Sequence, residues 1–365
     1  MILLFSFIVS PMTPSVSAEP SLTKRLQMGL SYGDRLVWMS DAQLAAALDD
    51  AVILGTRVVR ADLSWDNIQH DGPRDFRWSL FDRVVKAAAA RELTMLPIIT
   101  YTPAWARKRG CTDPFCAPRD PAAFAAFARA AAVRYAPQGV HTWEIWNEPN
   151  TVAFWKPAPS AEAYAKLLKA TATQLKAVDP SARVILGGLA AVQSADRNVS
   201  PVDFLDVAAA RGATKVVDAV AYHPYTYPFL ASTRTTFSTP WEKMDTTGQR
   251  SIRDVLTARG TPKMPIWITE YGAPTNGPGT SSDGEGAVPD STTHVSEARQ
   301  ATIAADSVRT AMLDPYVTAL VWFTDRDPSY DRSSSENFYG LRRANGTAKP
   351  AFAALRNAIA ARAGR

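Results

Sequence analysis

Eight short apolar runs, each followed by a polar loop and an Ala-rich helical stretch, predict a single (β/α)8 barrel, the TIM-barrel architecture, in this 365-residue chain. Three observations carry that prediction. The alternation is the mark of parallel strands joined by crossover helices. The runs are too apolar for one-sided burial, as strands covered by helices must be. Polar and aromatic residues also gather at the last positions of the runs, the rim where a barrel binds its ligand. A doubly wound open sheet would bring a glycine-rich phosphate loop after an early strand, and Gly29-Leu-Ser-Tyr-Gly33 is no such loop.

The first eighteen residues stand apart from the repeat. Residues 1–9 are an apolar run too short to span a membrane, and Val16-Ser17-Ala18 resembles a signal-peptidase site. The segment departs from the usual pattern in lacking a basic start, since the first Lys is Lys24. Residues 1–18 are read as a signal peptide, and residues 19–365 as one catalytic domain that is secreted or associated with the cell envelope.

The strand-like runs are 27–33, 57–65, 94–103, 142–149, 183–189, 216–225, 265–272 and 317–325. Between them Ala, Leu and Val recur at helical spacing, as in 161–178 and 296–313. Ser40 with Gln43 makes a capping box. Asp120-Pro121 and Ser200-Pro201 each place a cap before a first-turn proline, and Gly55, Gly212 and Gly260 fall where helices should stop. No Pro/Gly/Ser linker divides the repeat.

Composition narrows the function classes. With 46% hydrophobic residues the chain can build a large core. Its net charge of +5 comes without a block of Lys/Arg or basic-aromatic interleaving, which argues against nucleic acid as a partner. Nothing points to an obligatory protein partner. Cys111 and Cys116 have no His within twenty residues, so a local disulfide pinning a loop is the natural reading, with two unlinked thiols as the alternative.

The run ends carry the chemistry. They include Arg60 and Asp62, Tyr101, Asn147-Glu148-Pro149, His223-Pro224-Tyr225, Glu270-Tyr271, and the stretch from Trp322 to Asp325. Glu148 and Glu270 close the fourth and seventh runs, whose ends should face each other across a barrel. Paired carboxylates in that position suit glycosidic cleavage, in which one acts as acid and the other as nucleophile or base. Glu144 lies four residues before Glu148 and deeper along the strand, so it is read as a buried charge paired with a cation such as Arg60. His223 would need partners to hold zinc, and His70, His141 and His294 lack ligand spacing, so no metal is expected.

Trp-Asn-Glu-Pro at the fourth run, His-Pro-Tyr at the sixth, Ile-Thr-Glu-Tyr-Gly at the seventh and Trp at the eighth resemble clan A retaining glycoside hydrolases. Within that clan the chain looks similar to glycoside hydrolase family 39, including its bacterial exopolysaccharide-degrading members. The resemblance covers about residues 26–362. It implies Glu148 as acid/base, Glu270 as nucleophile, Asn147 as a partner of the sugar 2-hydroxyl, no organic cofactor, and an oligo- or polysaccharide substrate, most often β-linked.

The physical requirements of those roles single out further residues. A nucleophilic carboxylate must stay ionised and aimed, and Arg60, His223 and Tyr225 are its candidate donors. The acid must hold its proton until the bond breaks, which calls for desolvation and the nearby Glu270 charge. Trp322, Trp146, Trp155 and Trp105 are candidate sugar platforms, and Trp143 is read as packing under the helices. Long connections after the sixth run (225–245, with Tyr227, Phe229 and Trp241) and the seventh (276–292) favour an open groove and endo action. An exo-acting β-xylosidase-like enzyme and a transglycosylase remain alternatives, and a carbohydrate-binding protein on a catalytically dead barrel is the alternative outside enzymes. Asp283-Gly-Glu285 does not fit a twelve-residue calcium loop, and the 276–292 connection is read as solvated.

Overall fold

The computed structural model describes residues 26–233 and 250–363. The proposed signal peptide and Trp241 therefore lie outside the described residues. In chain order the strands are β1 (Gln27–Ser31), β2 (Val58–Ser64), β3 (Thr94–Thr100), β4 (Thr142–Ile145), β5 (Arg183–Ala190), β6 (Ala219–His223), β7 (Ile266–Tyr271), β8 (Thr280–Ser281), β9 (Thr292–His294) and β10 (Val317–Phe323). The helices are α1 (Asp41–Leu54), α2 (Trp65–Ile68), α3 (Ser79–Ala89), α4 (Pro121–Tyr135), α5 (Ala161–Val178), α6 (Pro201–Ala210), α7 (Ile252–Ala258), α8 (Glu297–Leu313) and α9 (Pro350–Ala363).

The strands β1 to β7 and β10 close into an all-parallel barrel, β10 pairing with both β1 and β7. Each apolar run read from the sequence coincides with one of them, β5 running one residue past its run to Ala190, so the (β/α)8 expectation holds. Among the described residues no helix is long and apolar enough to cross a membrane.

Local chemistry sets the helix ends. The Ser40–Gln43 capping box is formed in both directions, and Gly55 closes α1 in the left-handed conformation at φ 78°. Asp120 and Ser200 accept first-turn N–H groups at α4 and α6, each with proline in the first turn.

Two apolar layers result. One lies between strands and helices and contains Trp65, Trp143, Trp146, Trp155 and Trp322. The other fills the lower barrel with Val58, Leu96, Ile185, Ala219, Ala221, Trp267 and Ala319. Above that plug the barrel interior turns polar.

The 276–292 connection is more ordered than the solvated segment expected. There β8 and β9 pair, and Asp283 accepts hydrogen bonds from the backbone and hydroxyl of Ser296, the N-cap of α8. The acidic residue is thereby engaged in holding a helix start. Cys111 and Cys116 form a disulfide with Cα atoms 6.2 Å apart.

Candidate active site

Three departures from regular strand geometry build the site. Strand β4 ends at Ile145, sooner than the sequence suggests, because Trp146 and Glu148 adopt left-handed φ values of 70° and 42°. Such a conformation costs a non-glycine residue about 1–3 kcal/mol and persists only where the surroundings enforce it. Here the Trp146 N–H donates to the Ile99 carbonyl at 3.0 Å, and the Glu148 N–H to that of Gly188 at 3.0 Å.

The second departure is in β7. Against two steps of β10 from Leu320 to Trp322, β7 advances three, from Ile268 to Tyr271. An extra residue of this kind re-aims a side chain. Thr269 and Glu270 consequently both reach the site, although strict alternation would send one outward.

The third lies in β5, which advances three residues from Leu186 to Leu189 against two of β6. Gly187-Gly188 occupies the irregularity. A Cβ on Gly187 would sit 2.2 Å from the Trp146 carbonyl oxygen, and one on Gly188 would sit 1.9 Å from His223 Nε2. Only glycine admits the end of the β4 run and the histidine this closely.

Arg60 organises what these elements bring together. It is fully buried, and all five of its N–H donors have partners. Nε and Nη2 hold Glu144 in two parallel bonds of 2.8 and 2.9 Å. The second Nη2 proton goes to Asn147 Oδ1 at 3.0 Å. Nη1 reaches Ser31 Oγ at 3.1 Å and Glu270 Oε1 at 2.5 Å. Burial works against the arginine charge, but Glu144 and then Glu270 outweigh it and hold its pKa above the ordinary value.

Glu144 is the buried structural charge expected of it, accepting also from the Gly188 N–H at 2.9 Å and Thr269 Oγ1 at 3.2 Å. Glu270 is the opposite case, with 14% of its side chain exposed to the cavity. Tyr225 donates to its Oε2 at 2.9 Å. Desolvation pushes the Glu270 carboxyl up, yet His223, Arg60 and the Tyr225 hydroxyl together bring it below the usual glutamate value.

His223 links the two carboxylates. Nδ1 is 2.9 Å from Glu148 Oε1 and 3.8 Å from Glu270 Oε2, while Nε2 is 3.0 Å from Thr269 Oγ1. Thr269 has one hydroxyl proton, which it gives to Glu144. The hydrogen on the other contact must then belong to His223 Nε2. A neutral His223 therefore presents Nδ1 as an acceptor towards Glu148.

One oxygen each of Glu148 and Glu270, with a His223 nitrogen, fall within 4.8 Å of one another. By distance alone three such donors could hold a cation. Each already has a partner, however, and the Arg60 guanidinium at 2.5 Å from Glu270 is a fixed positive charge that a metal ion would oppose.

The two carboxylates face a cavity of about 690 Å³. Asn147 lines it with its amide nitrogen free to donate, because its oxygen is committed to Arg60. The tryptophans expected as platforms do not. Trp146 and Trp155 are buried, packed edge to face against each other, with the Trp146 indole donating to the Phe154 carbonyl. Trp322 is buried against Tyr271, because Phe323 takes the inward position at the end of β10. Trp105 packs on Trp65 and donates to the Gln69 carbonyl.

The aromatic lining comes instead from Tyr101, Phe115 and Phe154 on one side and from Tyr225, Tyr227, Phe323 and Tyr339 on the other. Phe115, Phe154 and Tyr339 lie in loops with no periodicity to mark them. Gly187-Gly188 in a buried strand was the available signal for the close approach of His223.

A parallel barrel carrying two carboxylates across its carboxyl-terminal mouth defines a glycoside hydrolase domain of clan A. The chain belongs to the cellulase family, glycosyl hydrolase family 5, whose model matches residues 20–305. A β-xylosidase from Geobacillus stearothermophilus is 35% identical over 147 residues, which is 38% of this chain and 27% of that protein. The chain thus spans about a quarter of the length of that curated relative. The structure of a family 39 glycoside hydrolase from Bacteroides cellulosilyticus WH2 matches with a TM-score of 0.67 at 20% identity, over 92% of this chain and 64% of that one. A GH39 β-xylosidase from Caulobacter crescentus matches with a TM-score of 0.66 at 21% identity, over 93% and 72%. The matching family model is that of family 5, and the family 39 enzymes that the sequence resembles share the fold.

Proposed function

We propose that the chain is an exported retaining glycoside hydrolase acting on β-linked oligo- or polysaccharides, with Glu270 as nucleophile and Glu148 as acid/base. The observation that carries the reading is the approach of the two carboxylates, with oxygens within 4.8 Å. Retaining enzymes hold their carboxyl groups about 5–5.5 Å apart, and inverting ones need about 6.5–9.5 Å to admit a water.

In this mechanism each carboxylate has one role per step. Glu270, ionised beside Arg60 and Tyr225, attacks the anomeric carbon and forms a glycosyl ester. The proton on Glu148 passes to the glycosidic oxygen as the leaving group departs. Esterification removes the Glu270 charge, and Glu148, now ionised, takes a proton from the water that cleaves the ester. Asn147, oriented by Arg60, donates to the sugar hydroxyl next to the reacting carbon. The family description favours endo action on a polysaccharide. The β-xylosidase relative favours exo action on a shorter substrate as the second reading. Export is supported by the apolar residues 1–9, the small residues before Glu19 and the disulfide.

A 2-deoxy-2-fluoro glycoside should label Glu270 covalently, and Glu270→Gln should abolish labelling. Glu148→Ala should lose at least a hundredfold in kcat on an unactivated substrate and recover with azide on an activated one. Labelling at another residue, or no azide rescue, would overturn the assignment. Reducing-end assays on a panel of polysaccharides separate endo from exo action.

A further inference from the structure

Asp62 plays no part in that mechanism. It follows Arg60 by two residues on β2 and so points into the same barrel interior, one layer nearer the mouth. The residue is only 8% exposed and lines the cavity, yet its carboxyl has no hydrogen-bonding partner among the described residues. Its carboxyl oxygens are not sealed in the core but open on the cavity, where a bound molecule can supply the missing donor. Arg60 cannot, because its five donors are already taken.

Asp34 adds a second carboxyl beside it. The Asp62 N–H donates to the Gly33 carbonyl at 2.9 Å, and Gly33, at φ 57°, turns the chain after β1 so that Asp34 joins the cavity wall. Glu336 enters the same wall from the loop after β10. With Glu148 and Glu270 the described lining holds five carboxyl groups and His223, and no Lys or Arg. Burial, together with Asp34 and Glu270, outweighs the pull of Arg60 and pushes the Asp62 carboxyl up to about 7.

We infer that Asp62 and Asp34 form a specificity-determining subsite that accepts hydrogen bonds from a sugar rich in donors and rejects sugars carrying a carboxylate. The inference rests on the glycosidase reading and deepens it. The mechanism needs Glu270 charged and Glu148 charged in turn, so a third carboxylate carried by a uronic acid would meet like charges with no cation in the described lining to offset them. The shared chemistry of an accepted ring is its donors, which come either from hydroxyls or from an ammonium group. Asp62 is thus a binding residue in the wall that also carries Glu148 and Glu270, with no part in making or breaking the bond.

The test is direct binding, which does not depend on turnover. Methyl β-glucoside, methyl β-xyloside, the free-amine methyl β-glucosaminide and methyl β-glucuronide are titrated into the full chain at pH 6 and pH 8, with saturation-transfer NMR as a second readout. At least one uncharged or amine-bearing glycoside should bind ten times or more tighter than the glucuronide. Asp62→Asn should weaken that ligand about tenfold and narrow the discrimination. Asp34→Asn, at an exposed position, should do so to a lesser degree without a folding risk. Preference for the glucosaminide identifies an ammonium as the donor, and preference for a neutral sugar identifies hydroxyls. Glucuronide binding equal to the others, or both variants retaining wild-type affinity and discrimination, overturns the inference. Absence of Glu270 labelling with this discrimination intact would instead sink the glycosidase reading and leave the subsite standing.

Discussion

Glu270 owes its aim and its charge to two donors of different kinds, the Arg60 guanidinium and the Tyr225 hydroxyl. A hydrogen bond to a charged group contributes about 1.5–3 kcal/mol, so Tyr225→Phe should cost tenfold or more in kcat. The sign of its pH effect follows from the lowered Glu270 pKa. As the proposed nucleophile Glu270 must be ionised, and losing a donor makes ionisation harder, so the acid limb of kcat/KM should move to higher pH. The same linkage acts on stability. A carboxyl with a depressed folded-state pKa stabilises the protein above its unfolded value, and that contribution is lost as pH falls through the folded value. Tyr225→Phe should therefore narrow the difference in thermal midpoint between pH 7 and acid, as measured by circular dichroism. An unmoved acid limb would show that the hydroxyl does not act on Glu270. Arg60, Glu148, His223, Tyr225 and Glu270 were legible in the sequence because ionisable groups at strand ends are hard to explain as core. Trp322 was misread because one step along a strand reverses the face, and the change from Trp322 to Phe323 is such a step, whereas Trp146 and Trp155, beyond the end of β4, pack on each other instead of facing the cavity.

At the scale of elements, two of the departures from ideal strands were invisible to a period of two. The β7 bulge and the left-handed turns at Trp146 and Glu148 are set by neighbours far away in sequence. The Cys111–Cys116 loop, in contrast, was readable as pinned, though not what it presents. It carries Phe115 into the cavity, where the ring meets Tyr101 edge to face at 4.6 Å and Phe154 at 5.3 Å. Its other ties include the Thr102 hydroxyl to the Cys116 carbonyl, the Lys156 N–H to the Phe115 carbonyl, and an ion pair between Lys156 and Asp113. A disulfide acts mainly by removing freedom from the open chain. Reduction, or the paired change Cys111→Ser with Cys116→Ser, should let the loop drift. KM should rise about threefold to tenfold, with kcat changed less than twofold, because no reacting group lies in the loop. Phe115→Ala should reproduce the KM change without altering the thermal midpoint as much. Equal loss of kcat in both would mean that the loop positions the catalytic groups themselves.

For the whole molecule, the barrel is closed by strands but sealed by the last helix. The parallel β1–β10 pairing joins the two ends of the fold, and α9 packs against α8 and α1 over that seam. The chain reaches α9 through Arg342, bound to Asp50 of α1 by two bonds of 2.6 and 2.7 Å, and through Lys349, buried against Asp327. The eightfold alternation made the closure predictable, whereas no local signal marked α9 as its seal. Its Phe352, Leu355 and Ile359 are buried, and each side chain contributes about 1.5–3 kcal/mol by leaving water. Their sum is comparable with the net stability of a typical protein, about 5–15 kcal/mol. Truncation after Lys349 should therefore abolish cooperative thermal unfolding and expose the faces of α1 and α8 to a hydrophobic dye. Phe352→Ala alone should lower stability by about 3–5 kcal/mol while leaving KM unchanged, since α9 stands outside the cavity. A truncated chain that melts cooperatively near the wild-type temperature would show that strand pairing alone holds the barrel shut.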